Sequence, residues 1–338
     1  MRKADFLPLI LLFLMSTNCA KKEETKLNHV TGLTMGTITY NVKYLNGPED
    51  LKEGIDSRLK DFNQSLSTYI SDSEISKLNR NGQLTYASEF FYPVLQKSRE
   101  IFLATSGTFD PSVGPLVQAW GFGPNKEIPS LDPQQIDSLK AIVGFDKVSF
   151  DDKEVFVPEN HQLDFSAIAK GYAVDLVAEI LEGNKIENYL VEIGGEVRAK
   201  GVNEKGASWS LGIEDPLAGN EERRILAVVR LKNRALATSG NYRNYYIKDG
   251  RTYAHIIDPR TGYNSTHNLL SASVFAEDCI SADAYATAFM VLGADEAFAI
   301  VNADPRLDAI LVYQAQDGSL KSLVSSGIKP FIEMNKAN

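Results

Sequence analysis

Residues 271–292 read SASVFAEDCISADAYATAFMVL. The stretch opens with a short apolar run, Ser271–Phe275, that predicts a strand. The second apolar run, Ser281–Leu292, is long enough for a helix and contains neither glycine nor proline. A strand followed closely by such a helix favours a sheet with helices packed against it.

The rest of the chain extends this pattern. Further strands are predicted at Tyr189–Ile193, Trp209–Ile213, Ile225–Leu231, Tyr242–Lys248, Thr252–Ile257, Ala309–Tyr313 and Leu320–Ser325. Asp249-Gly250 and Asp317-Gly318 indicate tight hairpin turns. Helices are predicted around residues 55–66 and 94–102, from Asp132 to Gly144, and at Ile168–Leu181 and Asp295–Asn302. We therefore expect an α+β fold, a mixed and largely antiparallel sheet with packed helices, in one unit at residues 31–332.

Composition excludes several classes of protein. The 338 residues include 35 Lys and Arg against 44 Asp and Glu, a net charge of −9. Nucleic-acid-binding proteins normally carry a basic excess, so we expect no nucleic-acid partner. Two cysteines cannot form a disulfide framework or a four-thiolate metal site. The chain also lacks the Rossmann glycine fingerprint, the P-loop lysine and the HExxH, GxSxG and CxxC motifs.

The amino terminus has the pattern of an export signal. Residues 1–20 read MRKADFLPLILLFLMSTNCA, a basic start followed by the apolar run Phe6–Met15. That run is too short for a permanent membrane-spanning helix. Cys19 and the charged residues after it resemble the end of a bacterial lipoprotein signal, in which the cysteine is lipidated. We expect a signal peptide at residues 1–18, a tether at 19–30 and a lipoprotein anchored to the membrane and facing the periplasm. The alternatives are a cleaved signal without lipid and a buried apolar strand.

Asp283 and Thr287 are the first candidate functional pair. They are four residues apart, so on a helix they share a face and present a carboxylate beside a hydroxyl. Hard oxygen ligands of this kind suit Mg²⁺, which accepts one or two carboxylates together with substrate phosphates. The alternative is that Asp283 only favours a helix start and that Thr287 only packs.

A second cluster surrounds His255. This residue ends a predicted strand beside Asp258-Pro259-Arg260, so a histidine, a carboxylate and an arginine would lie close together. Histidine is the usual general base near neutral pH, and arginine can hold a phosphate with two hydrogen bonds. The alternative is a capped strand end with an Asp–Arg ion pair.

Two loops complete the candidate set. In residues 163–175, Asp164 ends a strand and Lys170 lies in the first turn of the helix that follows, where free backbone amides attract anions. In residues 105–123, Phe109 and Asp110 lie in a glycine-rich loop, and loops often carry functional residues.

Taken together and in order, these segments resemble the ApbE family of flavin transferases. The matching stretches are TMGT (34–37), STYISDSEISKLN (67–79), GTFDPSVGPLVQAWGFG (107–123), LDFSAIAKGYAVD (163–175), VEIGGE (191–196), ATSGNYRNY (237–245), HIIDPRTG (255–262) and DAYAT (283–287).

The resemblance implies a specific reaction and site. Such enzymes bind FAD with Mg²⁺, cleave its pyrophosphate and join FMN to a Thr or Ser hydroxyl of a target protein, releasing AMP. Carried over by motif, the metal ligands are Asp283, Thr287 and the carbonyl of Ala167, and His255 is the base. The residues implied to line the FAD site are Met35, Tyr69, Thr108, Phe109, Asp110, Asp164, Lys170, Ser239 and Ile257. The implied targets are exported subunits or domains of respiratory electron-transfer complexes.

Two other functions remain open at this stage. The same site could serve an FAD pyrophosphatase that releases FMN and AMP with water as the acceptor. A flavin-binding lipoprotein without catalysis is the other alternative, and it would leave His255 and the Asp283/Thr287 pair without a role.

Overall fold

The structure is a computed structural model that describes residues 25–122, 131–218, 224–241, 245–248, 251–254 and 256–335. The helices are α1 (Lys52–Leu66), α2 (Glu74–Asn81), α3 (Phe91–Ala104), α4 (Gly114–Ala119), α5 (Pro133–Ala141), α6 (Ala169–Gly183), α7 (Cys279–Leu292) and α8 (Ala294–Ala303). The strands are β1 (Leu27–Thr34), β2 (Ile38–Leu45), β3 (Gln83–Thr85), β4 (Ser149–Phe150), β5 (Glu154–Phe156), β6 (Tyr189–Ile193), β7 (Glu196–Lys200), β8 (Trp209–Glu214), β9 (Ile225–Leu231), β10 (Arg234–Gly240), β11 (Tyr245–Lys248), β12 (Arg251–Ala254), β13 (Leu269–Ala276), β14 (Asp308–Gln314), β15 (Leu320–Val324) and β16 (Ile332–Met334). Within these residues no helix is both long and apolar enough to cross a bilayer.

An eight-stranded sheet organises the described part of the chain. Its order is β1-β2-β6-β7-β10-β13-β14-β15, and each neighbouring pair is antiparallel. Helices α6 and α7 pack against one face, α6 on β6 and β7 and α7 on β10 and β13. The smaller sheet β16-β9-β8 shares a second apolar core with the opposite face. The predicted α+β fold is confirmed.

Both faces of the central strands are buried, and their residues alternate between two cores. In β13, Val274 faces the helices whereas Phe275 belongs to the core shared with the small sheet. In β14, Leu311 likewise faces the helices, and Ile310 belongs to the core shared with the small sheet. This is the period of two that a strand imposes, since successive side chains point to opposite faces. Strands covered on both sides can be apolar at almost every position.

The local signals in the sequence correspond to real boundaries. Asp132 caps α5, and Asp132 and Gln135 form a reciprocal capping box through their side chains. The turn at Asp317-Gly318 lies between β14 and β15, with Gly318 at a φ of 82°. The turn residues Asp249 and Gly250 lie outside the described residues, although β11 and β12 on either side pair antiparallel.

The predicted tether is too long. Strand β1 begins at Leu27 and pairs with β2 along its whole length, from Leu27 opposite Leu45 to Thr34 opposite Ile38. Val30 is buried in the main core. The folded unit therefore starts within residues 19–30, because pairing and burial at the sheet edge decide the boundary rather than local polarity. At the other end, β16 continues the unit to Met334, where it pairs with β9.

Candidate active site

Helices α6 and α7 meet closely, and this contact positions the candidate site. The backbone N–H of Gly171 in α6 donates to Asp283 Oδ2 in α7 at 2.9 Å. Gly171 lies in the first turn of α6, where backbone N–H groups have no acceptor within the helix. Asp283 therefore supplies, from α7, an acceptor for the start of α6.

The start of α7 is held by a second carboxylate from α6. Asp175 accepts hydrogen bonds from the backbone N–H groups of Cys279 at 3.0 Å and Ile280 at 2.8 Å, and it pairs with Arg198 at 2.9 Å. Burial raises the pKa of Asp175 to about 6. The carboxylate is thus ionised at neutral pH, as a partner of Arg198 and of a helix N-terminus should be. These bonds fix where α7 begins, and with it the positions of Asp283 and Thr287.

A cavity of about 260 Å³, which we name the acidic pocket, lies beside this contact. Ten of the predicted site residues line it: Thr108, Phe109, Asp110, Asp164, Ala167, Lys170, Ser239, Ile257, Asp283 and Thr287. The predicted metal-ligand set and most of the predicted FAD-lining residues therefore share one cavity.

A second cavity, of about 620 Å³, holds the remaining described residues of the predicted set. Met35 and Tyr69 line it together with Ile38, Phe62 and Leu66, so we name it the apolar pocket. Met35 lies in the turn between β1 and β2 with a positive φ of 47°, and Tyr69 is 83 % exposed. Ser166 and Lys170 line both pockets, so the two pockets lie side by side at the start of α6.

Two acidic-pocket carboxylates are engaged in holding the loops that carry them. Asp110 Oδ1 accepts from the backbone N–H and the hydroxyl of Ser112 at 2.7 and 2.6 Å, and its Oδ2 accepts from the N–H of Phe145. Asp164 Oδ1 accepts from the N–H and the hydroxyl of Ser166. Both residues line the cavity as predicted, and both also shape its wall.

The other two carboxylates share one lysine. Lys170 forms an ion pair with Glu196, whose side chain is only 2 % exposed. Burial raises the pKa of Glu196 to about 7 and also raises that of Asp283, while Lys170 opposes both shifts. Burial lowers the pKa of Lys170, but Asp283 and Glu196 outweigh it and hold that pKa above its ordinary value. One ammonium group thus stands between two buried carboxylates.

The donor set fits a hard cation. Among the described residues no group of three or more His, Cys, Asp and Glu side chains could hold a metal ion. A cation in the acidic pocket would instead combine the carboxylate of Asp283, the hydroxyl of Thr287 one helical turn later and the carbonyl of Ala167. Oxygen donors with few carboxylates are typical of Mg²⁺, which fills its other positions with water or phosphate oxygens.

The predicted cluster at His255 is described only in part, because His255 lies outside the described residues. Asp258 and Arg260 form an ion pair, with Arg260 Nη2 donating to Asp258 Oδ2 at 2.9 Å and Arg260 Nε to Oδ1 at 3.0 Å. The Asp–Arg ion pair named in the alternative is therefore present, and the role of His255 stays a prediction. The Arg260 guanidinium is thereby committed to Asp258.

Two contributors to the site were given no role by the sequence. Glu196 is the last residue of the VEIGGE stretch (191–196). Its position directly after the Gly-Gly turn of a hairpin is the sequence signal that could have marked it as a site residue. Gly171 lies in the LDFSAIAKGYAVD stretch (163–175), directly after Lys170. A Cβ at Gly171 would lie 2.2 Å from the carbonyl oxygen of Cys279, so only glycine permits this contact. Cys279 is fully buried, and burial raises the pKa of its thiol.

Comparison with known proteins identifies relatives over nearly the whole chain. The protein is 36% identical over 339 residues to an FAD:protein FMN transferase of Vibrio cholerae, covering 97% of this chain and 99% of the relative. It is 40% identical over 314 residues to an FAD:protein FMN transferase of Haemophilus influenzae, covering 88% and 90%.

Solved structures agree with these matches. The flavin transferase ApbE from Vibrio cholerae superimposes with a TM-score of 0.80 at 34% identity, over 91% of this chain and 99% of that one. The apo form of the Pseudomonas stutzeri flavinyl transferase ApbE gives a TM-score of 0.82 at 31% identity, over 91% and 97%. The family model for ApbE matches residues 35–311, which include the lining of both pockets. The chain therefore belongs to the ApbE family.

Proposed function

We propose that this protein transfers FMN from FAD to a Thr or Ser hydroxyl of a target protein in a Mg²⁺-dependent reaction that releases AMP. The observation that carries the proposal is that the acidic and apolar pockets lie side by side, with Ser166 and Lys170 lining both. An extended dinucleotide needs both an apolar compartment for a ring system and a charged compartment for its pyrophosphate. The names of the relatives support the same substrate and acceptor.

The reaction breaks one phosphoanhydride bond and forms one phosphoester bond. The acceptor oxygen attacks the phosphorus on the FMN side, AMP leaves with the bridging oxygen, and the hydroxyl proton passes to a base. Because a neutral hydroxyl is a weak nucleophile, an adjacent base speeds the attack. His255 is the residue that we propose for this role.

Charge neutralisation is the other requirement. Lys170 lines both pockets and carries an ammonium whose pKa is held above its ordinary value, so it offers a positive charge to an anionic substrate. Asp283, Thr287 and the Ala167 carbonyl would hold Mg²⁺. When bound, the ion would stabilise negative charge on the phosphate oxygens in the transition state.

Intact-mass spectrometry tests the proposal. The full chain, kept in mild detergent, is incubated with FAD, Mg²⁺ and an exported acceptor domain of a respiratory electron-transfer protein. The expected result is an acceptor mass gain equal to FMN less one water, abolished by a chelator. FAD converted to FMN and AMP without this gain would favour the pyrophosphatase, and bound but unchanged FAD would favour the non-catalytic carrier.

We also propose that the chain is exported, lipidated at Cys19 and anchored to the membrane on its periplasmic side, with exported respiratory subunits or domains as its targets. The support is the sequence of residues 1–19, which lie outside the described residues. In cells, a Cys19→Ser variant should move from the membrane fraction to the soluble periplasmic fraction. A variant that stays with the membrane would contradict the lipid anchor.

A further inference from the structure

Glu196 occupies a fixed place on the floor of the acidic pocket. The two-residue turn Gly194-Gly195 joins β6 to β7, both glycines have positive φ (63° and 106°), and Ile193 pairs with Glu196 across it. Positive φ at both positions is what a two-residue type I′ turn requires, so the turn and the pairing register together fix the position of Glu196. Val197 faces the core shared with the small sheet, so Glu196 faces the α6 side of the sheet.

The side chain of Glu196 is buried, and only one of its two carboxylate oxygens has a partner. Its Oε1 pairs with Lys170 Nζ, whereas Oε2 is buried and has no hydrogen-bond partner. A Cβ placed on Gly194 would lie 3.6 Å from Lys170 Cδ and 3.7 Å from Glu196 Oε2, so the turn packs against both side chains. Burying a carboxylate in this way costs free energy, and pairing with a cation offsets the cost.

The pairing of Lys170 decides what is left for Asp283. Lys170 has two carboxylates within electrostatic reach, but its ion pair is with Glu196. Asp283 instead accepts the backbone N–H of Gly171. The Asp283 carboxylate therefore forms no ion pair with the Lys170 ammonium.

We infer that Glu196 is a positioning residue that holds the Lys170 ammonium away from Asp283, and so keeps the Asp283 carboxylate available to a divalent cation. The inference rests on the proposed function, because it concerns the cation of that same site. Without the negative charge at residue 196, Lys170 would turn to Asp283 and compete with the cation.

Cation binding to the FAD-free full chain tests this directly. Mn²⁺ is titrated into the protein as the probe, and the concentration of free Mn²⁺ is measured from its electron paramagnetic resonance signal. The Glu196→Gln variant keeps the shape of the side chain and removes its charge, and we expect its Mn²⁺ affinity to fall on the order of tenfold. The matched control is Glu192→Gln in the same hairpin, which contacts Gly195 and Asn41 and should leave the affinity unchanged.

A double-mutant cycle separates positioning from a simple loss of charge. In a Lys170→Met background there is no ammonium to compete, so adding Glu196→Gln should change Mn²⁺ affinity little. An equal loss in both backgrounds would overturn the inference, since Glu196 would then act on the cation directly. No loss in either background would overturn it as well.

Two further measurements keep the test decisive. If Glu196→Gln proves unstable in thermal melting, Glu196→Asp is the second variant; it retains the charge and should keep most of the wild-type Mn²⁺ affinity. If both variants are folded and lose Mn²⁺ affinity equally, the inference is contradicted. Transfer of FMN by the wild-type chain is measured separately. A wild-type chain that transfers FMN but binds no Mn²⁺ would refute the inference alone, whereas Mn²⁺ binding without transfer would count against the proposed function alone.

Discussion

At the scale of single residues, Asp283 has two tasks in one carboxylate. Its Oδ2 accepts the Gly171 N–H and so ties α7 to α6, while its charge lies in the acidic pocket beside Thr287. A substitution that keeps the acceptor but removes the charge should separate these tasks.

Asp283→Asn should retain the fold and lose Mg²⁺-dependent transfer by on the order of 10²-fold or more, because the cation loses its only charged protein ligand in the proposed set. Initial rates against Mg²⁺ concentration measure this. The control is Asp278→Asn, the same chemical change at the cap of the same helix, where Asn caps about as well as Asp. A normal Mg²⁺ response in Asp283→Asn would remove Asp283 from the metal site.

His255→Ala should keep FAD binding and slow transfer by about 10²–10⁴-fold, the usual effect of removing a general base. FAD binding is followed by flavin fluorescence and transfer by intact mass. His29→Ala, at an exposed position on β1, is the control and should change neither quantity. Near-normal transfer in His255→Ala would eliminate this residue as the base.

At the scale of elements, the site depends on how closely α6 approaches α7. A Cβ at Gly171 would lie 2.2 Å from the carbonyl oxygen of Cys279 and 2.8 Å from Asp283 Cβ, distances that no packed pair of atoms tolerates. Alanines also recur along α7 and at Ala235 and Ala237 in β10, against which it packs. Small side chains on these surfaces let the helix lie close to both neighbours.

Gly171→Ala should therefore push the two helices apart and lower the free energy of unfolding by about 1–3 kcal/mol. It should also weaken the Mg²⁺ dependence of FMN transfer. Thermal or denaturant unfolding together with transfer rates gives both numbers. Gly183→Ala near the end of the same helix has nothing within 4 Å of the new Cβ and should be neutral or slightly stabilising. If both variants behaved alike, close approach would not be the reason for glycine at 171.

At the scale of the whole molecule, β1 makes the amino-terminal segment part of the fold. It is the edge strand of the large sheet, and it leads directly into the turn that carries Met35 in the apolar pocket. An anchor at Cys19, as proposed, would connect through residues 20–26 to a strand that ends beside the apolar pocket.

A chain that starts at residue 31 should be less stable than one that starts at residue 25. The shorter chain loses the pairing of Leu27 to Val30 with β2 and the burial of Val30, which is worth about 2 kcal/mol. Comparing thermal melting of the two chains measures the difference. Equal melting temperatures would show that residues 27–30 do not contribute to the fold.

The sequence by itself determined many of the local elements, and twelve of the predicted site residues line one or both of the two pockets. Strands β6 and β9 have the predicted bounds, and α5 begins at its predicted cap, because side-chain period and capping depend on residues only a few positions apart. Strand β10 was not predicted because its alanines and serine favour strands weakly, and β1 was not predicted because polar residues interrupt its apolar pattern.

Tertiary packing decided what these elements do together. Gly171 and Asp283 are 112 positions apart, and their contact arises only when α6 and α7 lie on the same face of the sheet. The same packing buries Glu196 beside Lys170, a pairing that no local pattern encodes. Motifs can show which residues belong to a site. The sheet fixes their distances, and burial strengthens their electrostatic interactions because it removes water from between the charges.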